Sequence, residues 1–179
     1  LCNPAGFLAG ESDWGYNSLT QMAIQRWMYD RLNRTDFRKR SFLDPDRETY
    51  GPDYYEWADE AGYLKAYPFE DQPDYKSFKI RCKAGDWETY SVGGAVDWPM
   101  MRVEEMYLIE AEAAAHLNDA EGQNLINEFM TTYRDPAYST TATGEFLVNE
   151  IVLQKRIELW GEGLTFFDIK RLDMSVTRG

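Results

Sequence analysis

The chain has 179 residues, 44% of them hydrophobic, and carries a formal net charge of −12. That much apolar material supports one domain with a real core and argues against disorder. The acidity argues against nucleic acid and against an anionic membrane, since both call for a basic surface; no apolar run nears the roughly 18 residues of a membrane span.

Residues 1–17 are polar and irregular, with Trp14 and Tyr16 on either side of a glycine. Cys2 and Cys82 read as two unrelated thiols, with a single disulfide as the alternative. A lipidated Cys2 would need a small-residue box before it, and no signal peptide is visible. Ser18 and Gln21 form a capping-box pattern, and Leu19, Met22, Ala23, Trp27 and Leu32 predict a helix over about 19–32 with Trp27 in its core. Asn33-Arg34-Thr35 fits a glycosylation sequon, a triplet common by chance, and Arg34–Arg40 reads as a solvated basic turn.

Five of the six tryptophans and nine of the twelve tyrosines precede residue 99. Asp44–Tyr75 is the centre of this bias, with ten acids, two bases and eight aromatic residues. Its four prolines break any long element, leaving loops and at most one short helix near Tyr54–Gly62. Ordered loops of that length tend to be functional. Tyr75–Ser91 alternates like a short β-hairpin, Phe78 and Ile80 on one side, Lys79 and Arg81 on the other, turning at Gly85-Asp86.

A helix over about 100–117 follows Pro99. It is apolar nearly all round: Val103, Tyr107, Ala114 and Leu117 on one side, Leu108, Ala111 and Ala115 on another, so burial between neighbours is expected. Glu105 and Glu112 share the remaining strip and need bases or helix ends. Asp119 is the expected cap of a second helix, about 120–133, with Leu125, Phe129 and Tyr133 in register. Asp135-Pro136 ends it, and a Ser/Thr-rich loop leads to a third helix over about 145–161. On that helix Phe146, Leu153, Ile157 and Trp160 recur at helical spacing, with Leu164 continuing the series. Gly161 and Gly163 cost too much for a helix interior, about 1 kcal/mol each against alanine, and point to a forced turn or close approach. Trp160, Leu159, Phe166 and Phe167 are expected to be buried where the first and third helices pack.

Two segments together carry a resemblance. Arg102, Glu105, Tyr107, Leu108, Ala111, Glu112 and Ala113 fit R-x-x-E-x-Y-L-x-x-A-E-A. Glu158, Leu159, Glu162, Gly163, Phe166, Phe167, Asp168 and Arg171 fit most of E-R-x-x-E-L-x-x-E-G-x-R-[FW]-F-D-L-x-R, with Ile169 for the leucine. In this order they resemble the C-terminal signature of the SusD/RagB family of cell-surface glycan-binding lipoproteins. Gln154-Lys155 stands for the family's Glu-Arg and Thr165 for its arginine, and the arginines often found between the motifs are missing. The resemblance implies a mainly α fold: tetratricopeptide-like antiparallel helices over 98–179, behind a loop-rich aromatic segment, 1–97, with a short β-hairpin. It also implies an outer-membrane lipoprotein anchored by a lipid outside this chain, capturing a glycan for a SusC-like TonB-dependent transporter.

The residues themselves leave three classes open. A hydrolase needs a carboxylate pair at fixed separation, which 31 acids make common by chance and uninformative. The only histidine, His116, ends an alanine-rich helix, where a helix-dipole or surface role is expected. One histidine and two distant cysteines do not make a zinc site, and no cofactor motif occurs. A helical interaction scaffold would account for the second half alone. A carbohydrate binder accounts for the aromatic segment as well, because flat rings with polar tips suit sugar faces. Trp57, Tyr54, Tyr55, Trp14, Tyr16 and Trp87 are the candidate ligand-binding residues, with Trp57 foremost. Glu105, Glu112 and Glu158 lie on helices expected to be buried, and Arg102, Arg156 and Arg171 are the bases of the matched motifs, so at least one Glu–Arg pair is expected among them, because an unpaired buried charge is costly.

Overall fold

The computed structural model describes residues 22–51, 54–55, 72–80, 97 and 99–176. Among them, in chain order, are α1 (Arg26–Tyr29), a 3-10 turn (Phe37–Ser41), α2 (Val103–Leu117), α3 (Asp119–Tyr133), α4 (Gly144–Glu158) and α5 (Thr165–Arg171). The chain forms two compact units, one of Leu1–Leu32 with Arg38–Trp98 and one of Asn33–Phe37 with Pro99–Gly179.

In the second unit, α2, α3 and α4 close on a core of Leu108, Ala111, Ala115, Ile126, Phe129, Met130, Leu147 and Ile151. Asn118, the one residue between α2 and α3, caps α3 by accepting from the Ala120 N–H; such a cap contributes about 1 kcal/mol. Asp119, the expected cap, instead braces the next helix: its Oδ1 accepts from Gly144 N at 2.9 Å. Gly122 explains how α2 and α3 approach so closely, since a Cβ there would lie 2.6 Å from Ala115 Cα.

The linker from α3 to α4 retraces α3. Asn127 Nδ2 donates to Thr140 O at 3.0 Å and Asn127 Oδ1 accepts from Thr140 N at 2.8 Å. Further back, Gln123 Nε2 donates to Ala142 O at 2.6 Å. Thus α4 starts beside the start of α3 and runs in its direction, and α2 lies antiparallel to both. The expected antiparallel pairing is built on α2; the consecutive pair α3 and α4 is parallel because of its ten-residue return, 134–143.

Several expectations about faces are corrected. Only the Leu108, Ala111 and Ala115 side of α2 is buried; Val103, Tyr107 and Leu117 are exposed. The helix over 145–161 ends at Glu158, so Trp160 and Leu164 lie beyond it. Its buried face runs through Leu147, Ile151, Val152 and Ile157, while Phe146 is exposed. Leu159 is buried as expected, but Trp160 is half-buried, and Phe166 and Phe167 are 61% and 64% exposed, edge to face with each other at 5.9 Å. The glycine pair is a forced turn: Gly161 and Gly163 have φ of 80° and 82°, values that glycine adopts without steric cost.

In the first unit, among the described residues 22–32 of the helix expected over 19–32, the α-helix is the single turn α1, and Trp27 is 48% exposed. Residues 22–24 are extended and pair with 75–77 instead: Ile24 N donates to Tyr75 O at 3.1 Å and Ser77 N to Met22 O at 2.9 Å. On the other side Leu43 N donates to Lys76 O at 2.9 Å and Tyr75 N to Leu43 O at 2.7 Å. The described residues thus hold isolated antiparallel bridges, Ala23 to Lys76 and Phe42 to Ser77, which are not the pairing of the expected hairpin, whose turn and second arm lie outside the described residues. Residues 81–91 lie outside the described residues, as do Cys2, Cys82 and the capping box at Ser18.

Candidate functional site

The described part of the acidic, aromatic segment has a buried polar centre. Asp44 accepts from Tyr29 Oη through Oδ2, and its own N–H donates to Tyr55 Oη at 2.8 Å. Burial pushes both phenols above the ordinary tyrosine range, and for Tyr29 the Asp44 bond adds to it. Lys39 packs its ammonium 4.3 Å from the centre of the Tyr29 ring and donates to Leu32 O at 3.0 Å. Lys76 donates to Gln72 Oε1 at 2.8 Å, and Arg47 to Gln72 O at 2.8 Å while pairing with Asp74 at 3.1 Å. Among the described residues, the buried Asp44, Lys39, Lys76 and Gln72 thus each have a hydrogen-bond partner, as buried polar groups require.

Tyr50, Tyr54 and Tyr55 stand edge to face in sequence, each step 5.0 Å between ring centres. Tyr55 is 2% exposed. Its hydroxyl is committed to Asp44, so it is a strut beneath the segment and offers no ring face to a ligand, contrary to the sequence expectation. Tyr54 is half-buried, with the Arg40 guanidinium 5.2 Å from its ring centre. Trp57, Trp14, Tyr16 and Trp87 lie outside the described residues.

In the second unit the two signature segments meet through charge. Arg102, just ahead of α2, donates from Nε and Nη2 to the two oxygens of Glu162 at 3.0 and 2.9 Å, a bidentate pair, and from Nη1 to Glu158 Oε1 at 3.2 Å. Arg134, at the end of α3, donates to both Glu158 oxygens at 2.8 and 2.9 Å and to Glu104 at 3.1 Å. Burial pulls both guanidinium groups down, but bonds and charge from Glu162 and Glu158, with Glu104, more than reverse it, and both are raised. Glu158 stands at the negative end of the α4 dipole, an unfavourable place for an anion, and two arginines offset that. A second network joins Glu112 to Arg171 at 2.7 Å, Arg171 to Asp168 at 2.8 Å and Lys155 to Asp168 at 3.0 Å. The expected Glu–Arg pairs are therefore present, as Arg102–Glu158 and Arg171–Glu112.

Sequence reasoning missed Arg134, Glu104, Tyr29 and Asp44. Arg134 follows the last turn of α3, where a cation is favoured, and that position was the available signal; the buried Tyr29–Asp44 pair has no periodic signature. Asn33 and Thr35 of the sequon both donate to the buried Asp135 carboxylate, at 2.8 and 2.6 Å. Their structural role is a clamp within the second unit. Among the described residues no three His, Cys, Asp or Glu side chains are grouped to hold a metal ion, and no helix is long and apolar enough to cross a membrane.

Two motifs distant in sequence, joined as bases and acids of shared networks, constitute a helical signature. The family model described as the SusD family matches residues 58–178. The chain belongs to the SusD family. A solved structure described as a SusD-like carbohydrate-binding protein from Bacteroides vulgatus matches over 98% of this chain at 26% identity, with a TM-score of 0.65. The SusD-family chain spans 32% of that structure's length. No curated protein matches it. The cross-motif pairs give the family's pattern a physical meaning here, since Arg102 and Glu112 of the first motif receive Glu158, Glu162 and Arg171 of the second. Lys155, standing where the family usually has arginine, keeps a cation on Asp168.

Proposed function

We propose that this chain is part of a cell-surface carbohydrate-binding protein that captures oligosaccharide or polysaccharide without cleaving it. The observation that carries the reading is the match over nearly the whole chain to a structure described as a SusD-like carbohydrate-binding protein. In this reading the protein sits on the outer face of the outer membrane through a lipid anchor outside this chain, and passes its ligand to a SusC-like TonB-dependent transporter. The helical unit is the scaffold. The ligand contacts come from the acidic, aromatic first half, with Trp57, Tyr54, Trp14, Tyr16 and Trp87 as candidates. Sugar rings stack on such side chains while acids and amides take the hydroxyls.

Calorimetric titration of the full-length protein with a panel of neutral and acidic oligosaccharides tests this. Saturable binding of one glycan class is expected, with no reducing sugar released on prolonged incubation. Release that one carboxylate substitution abolishes would make the protein a glycosidase instead, and a panel without any binder would favour a plain interaction scaffold.

A further inference from the structure

The first unit sorts its charges by direction. In its described part Arg38, Lys39 and Lys76 are buried. Lys39 donates to Leu32 O and lies over the Tyr29 ring, while Lys76 donates to Gln72 Oε1 and lies 5.3 Å from the centre of the Phe78 ring. Arg47, half-buried, is engaged by Gln72 O and Asp74. The acids mostly turn outward: Asp46, Glu48 and Asp74 are exposed, and among the described acids of Asp44–Tyr75 only Asp44 is buried. Cations are thus spent on the fold, and anions are left on the surface. Composition points the same way, with ten acids against two bases over Asp44–Tyr75. Arg40 stands 5.2 Å from the centre of the candidate ring Tyr54, but one guanidinium does not offset that surplus.

We propose that this surface selects neutral glycans and rejects those that carry carboxylate or sulfate groups, a selectivity that rests on the carbohydrate-binding reading above. An ionised carboxylate accepts hydrogen bonds and donates none. A neutral sugar offers hydroxyl donors around its ring, so its edges suit the acids while its faces suit the aromatic rings. An anionic sugar keeps the faces but brings its charge against carboxylates, where the bases that hold anions best are already engaged within the fold. Like charges set against each other across an interface act chiefly by excluding the wrong partner. Electrostatics therefore narrows the ligand class without adding a contact of its own, and the stacking rings supply the affinity.

Calorimetric titration of the full-length protein tests this when the glycan panel includes hexasaccharides of glucose, galactose and mannose in three forms. These are the neutral sugar, the sugar oxidised at C6 to the uronate, and the methyl ester of that uronate. The uronate should bind roughly 10-fold or more weakly than its neutral parent at about 10 mM salt. The gap should narrow at about 150 mM, as the Debye length falls from about 30 Å to about 8 Å. The ester, which removes the charge and keeps the shape, should bind nearly as the neutral form does. Asp46→Asn combined with Glu48→Gln should narrow the gap at low salt. A uronate or sulfated glycan that binds tighter than its neutral parent overturns the proposal and leaves carbohydrate binding standing. So does a penalty that persists in the ester, which would assign it to the lost hydroxyl, or one that the double variant leaves unchanged. A panel in which no glycan binds in any form removes the carbohydrate-binding reading itself, and this selectivity with it.

Discussion

Glu158 shows how much one residue can hold in this structure. It is buried and accepts from Arg102 and Arg134, so one carboxylate ties the start of α2 to the ends of α3 and α4. Truncation leaves two guanidinium groups without their shared anion, and breaking a buried pair costs about 3–5 kcal/mol. Glu158→Ala should therefore lower the urea midpoint strongly. Glu162→Ala, which leaves Arg102 with Glu158 and Glu104 and keeps the Glu158 link to Arg134, should cost clearly less. Equal losses in the two melts would show that Glu158 is not the hub. The need for Glu–Arg pairing was legible in the sequence, because acids at helix-face positions demand it. Which arginine answers was not: Arg102 and Arg171 were foreseeable from the motifs, whereas Arg134 pairs across 24 residues with Glu158 through a chain path that retraces α3, and no local pattern records that path.

The existence and rough bounds of α2, α3 and α4 were readable, since their apolar spacing, the break at Asp135-Pro136 and the glycine pair are local signals, whereas α5 was not foreseen. Their faces were less so. On α4 the series Phe146, Leu153 and Ile157 competes with Leu147 and Ile151; Ile157 is buried as that series expects, but the helical core is met by Leu147 and Ile151, which pack with Ile126 and Met130. The single turn α1 replaced a longer predicted helix because residues 22–24 give their backbone bonds to 75–77, a tertiary choice that outweighs propensity. Gly122 belongs to the same class of feature: mid-helix it looks like a defect, yet α2 and α3 approach through it. A methyl group there meets Ala115 backbone at 2.6 Å, a contact only a shift of the helix pair can relieve. Gly122→Ala should thus destabilise by about 1–3 kcal/mol despite its better helix propensity, and a denaturant melt showing a gain would mean that α2 and α3 are farther apart than described.

At the level of the whole molecule, scaffold and ligand site are expected to separate, and one pair of substitutions tests the separation. Leu147 is fully buried in the helical core; Leu147→Ala should cost about 2–5 kcal/mol of stability through lost burial and the cavity left behind. If the helical unit only supports, the variant should bind glycan with unchanged affinity at temperatures where it remains folded. Trp57 sits in the acidic, aromatic segment, where chemistry rather than motif points to sugar. Stacking on such a ring is worth about 1–3 kcal/mol by analogy with aromatic platforms under nucleic-acid bases, so Trp57→Ala should weaken binding roughly 5- to 150-fold and leave the melting midpoint nearly unmoved. The site was less legible than the fold because an aromatic ring in a loop looks the same in sequence whether it faces a ligand or the core. Tyr55 illustrates this: its neighbours and composition matched those of Tyr54, and only the bond to Asp44 makes it a strut. Calorimetry and thermal melts of both variants in the full-length protein, with the glycan that the panel identifies, discriminate the outcomes. Trp57→Ala that melts early and binds normally would place that ring in the core beside Tyr55, and would move the contacts to Trp14, Tyr16 or Trp87, or to the part of the family's length that this chain does not span.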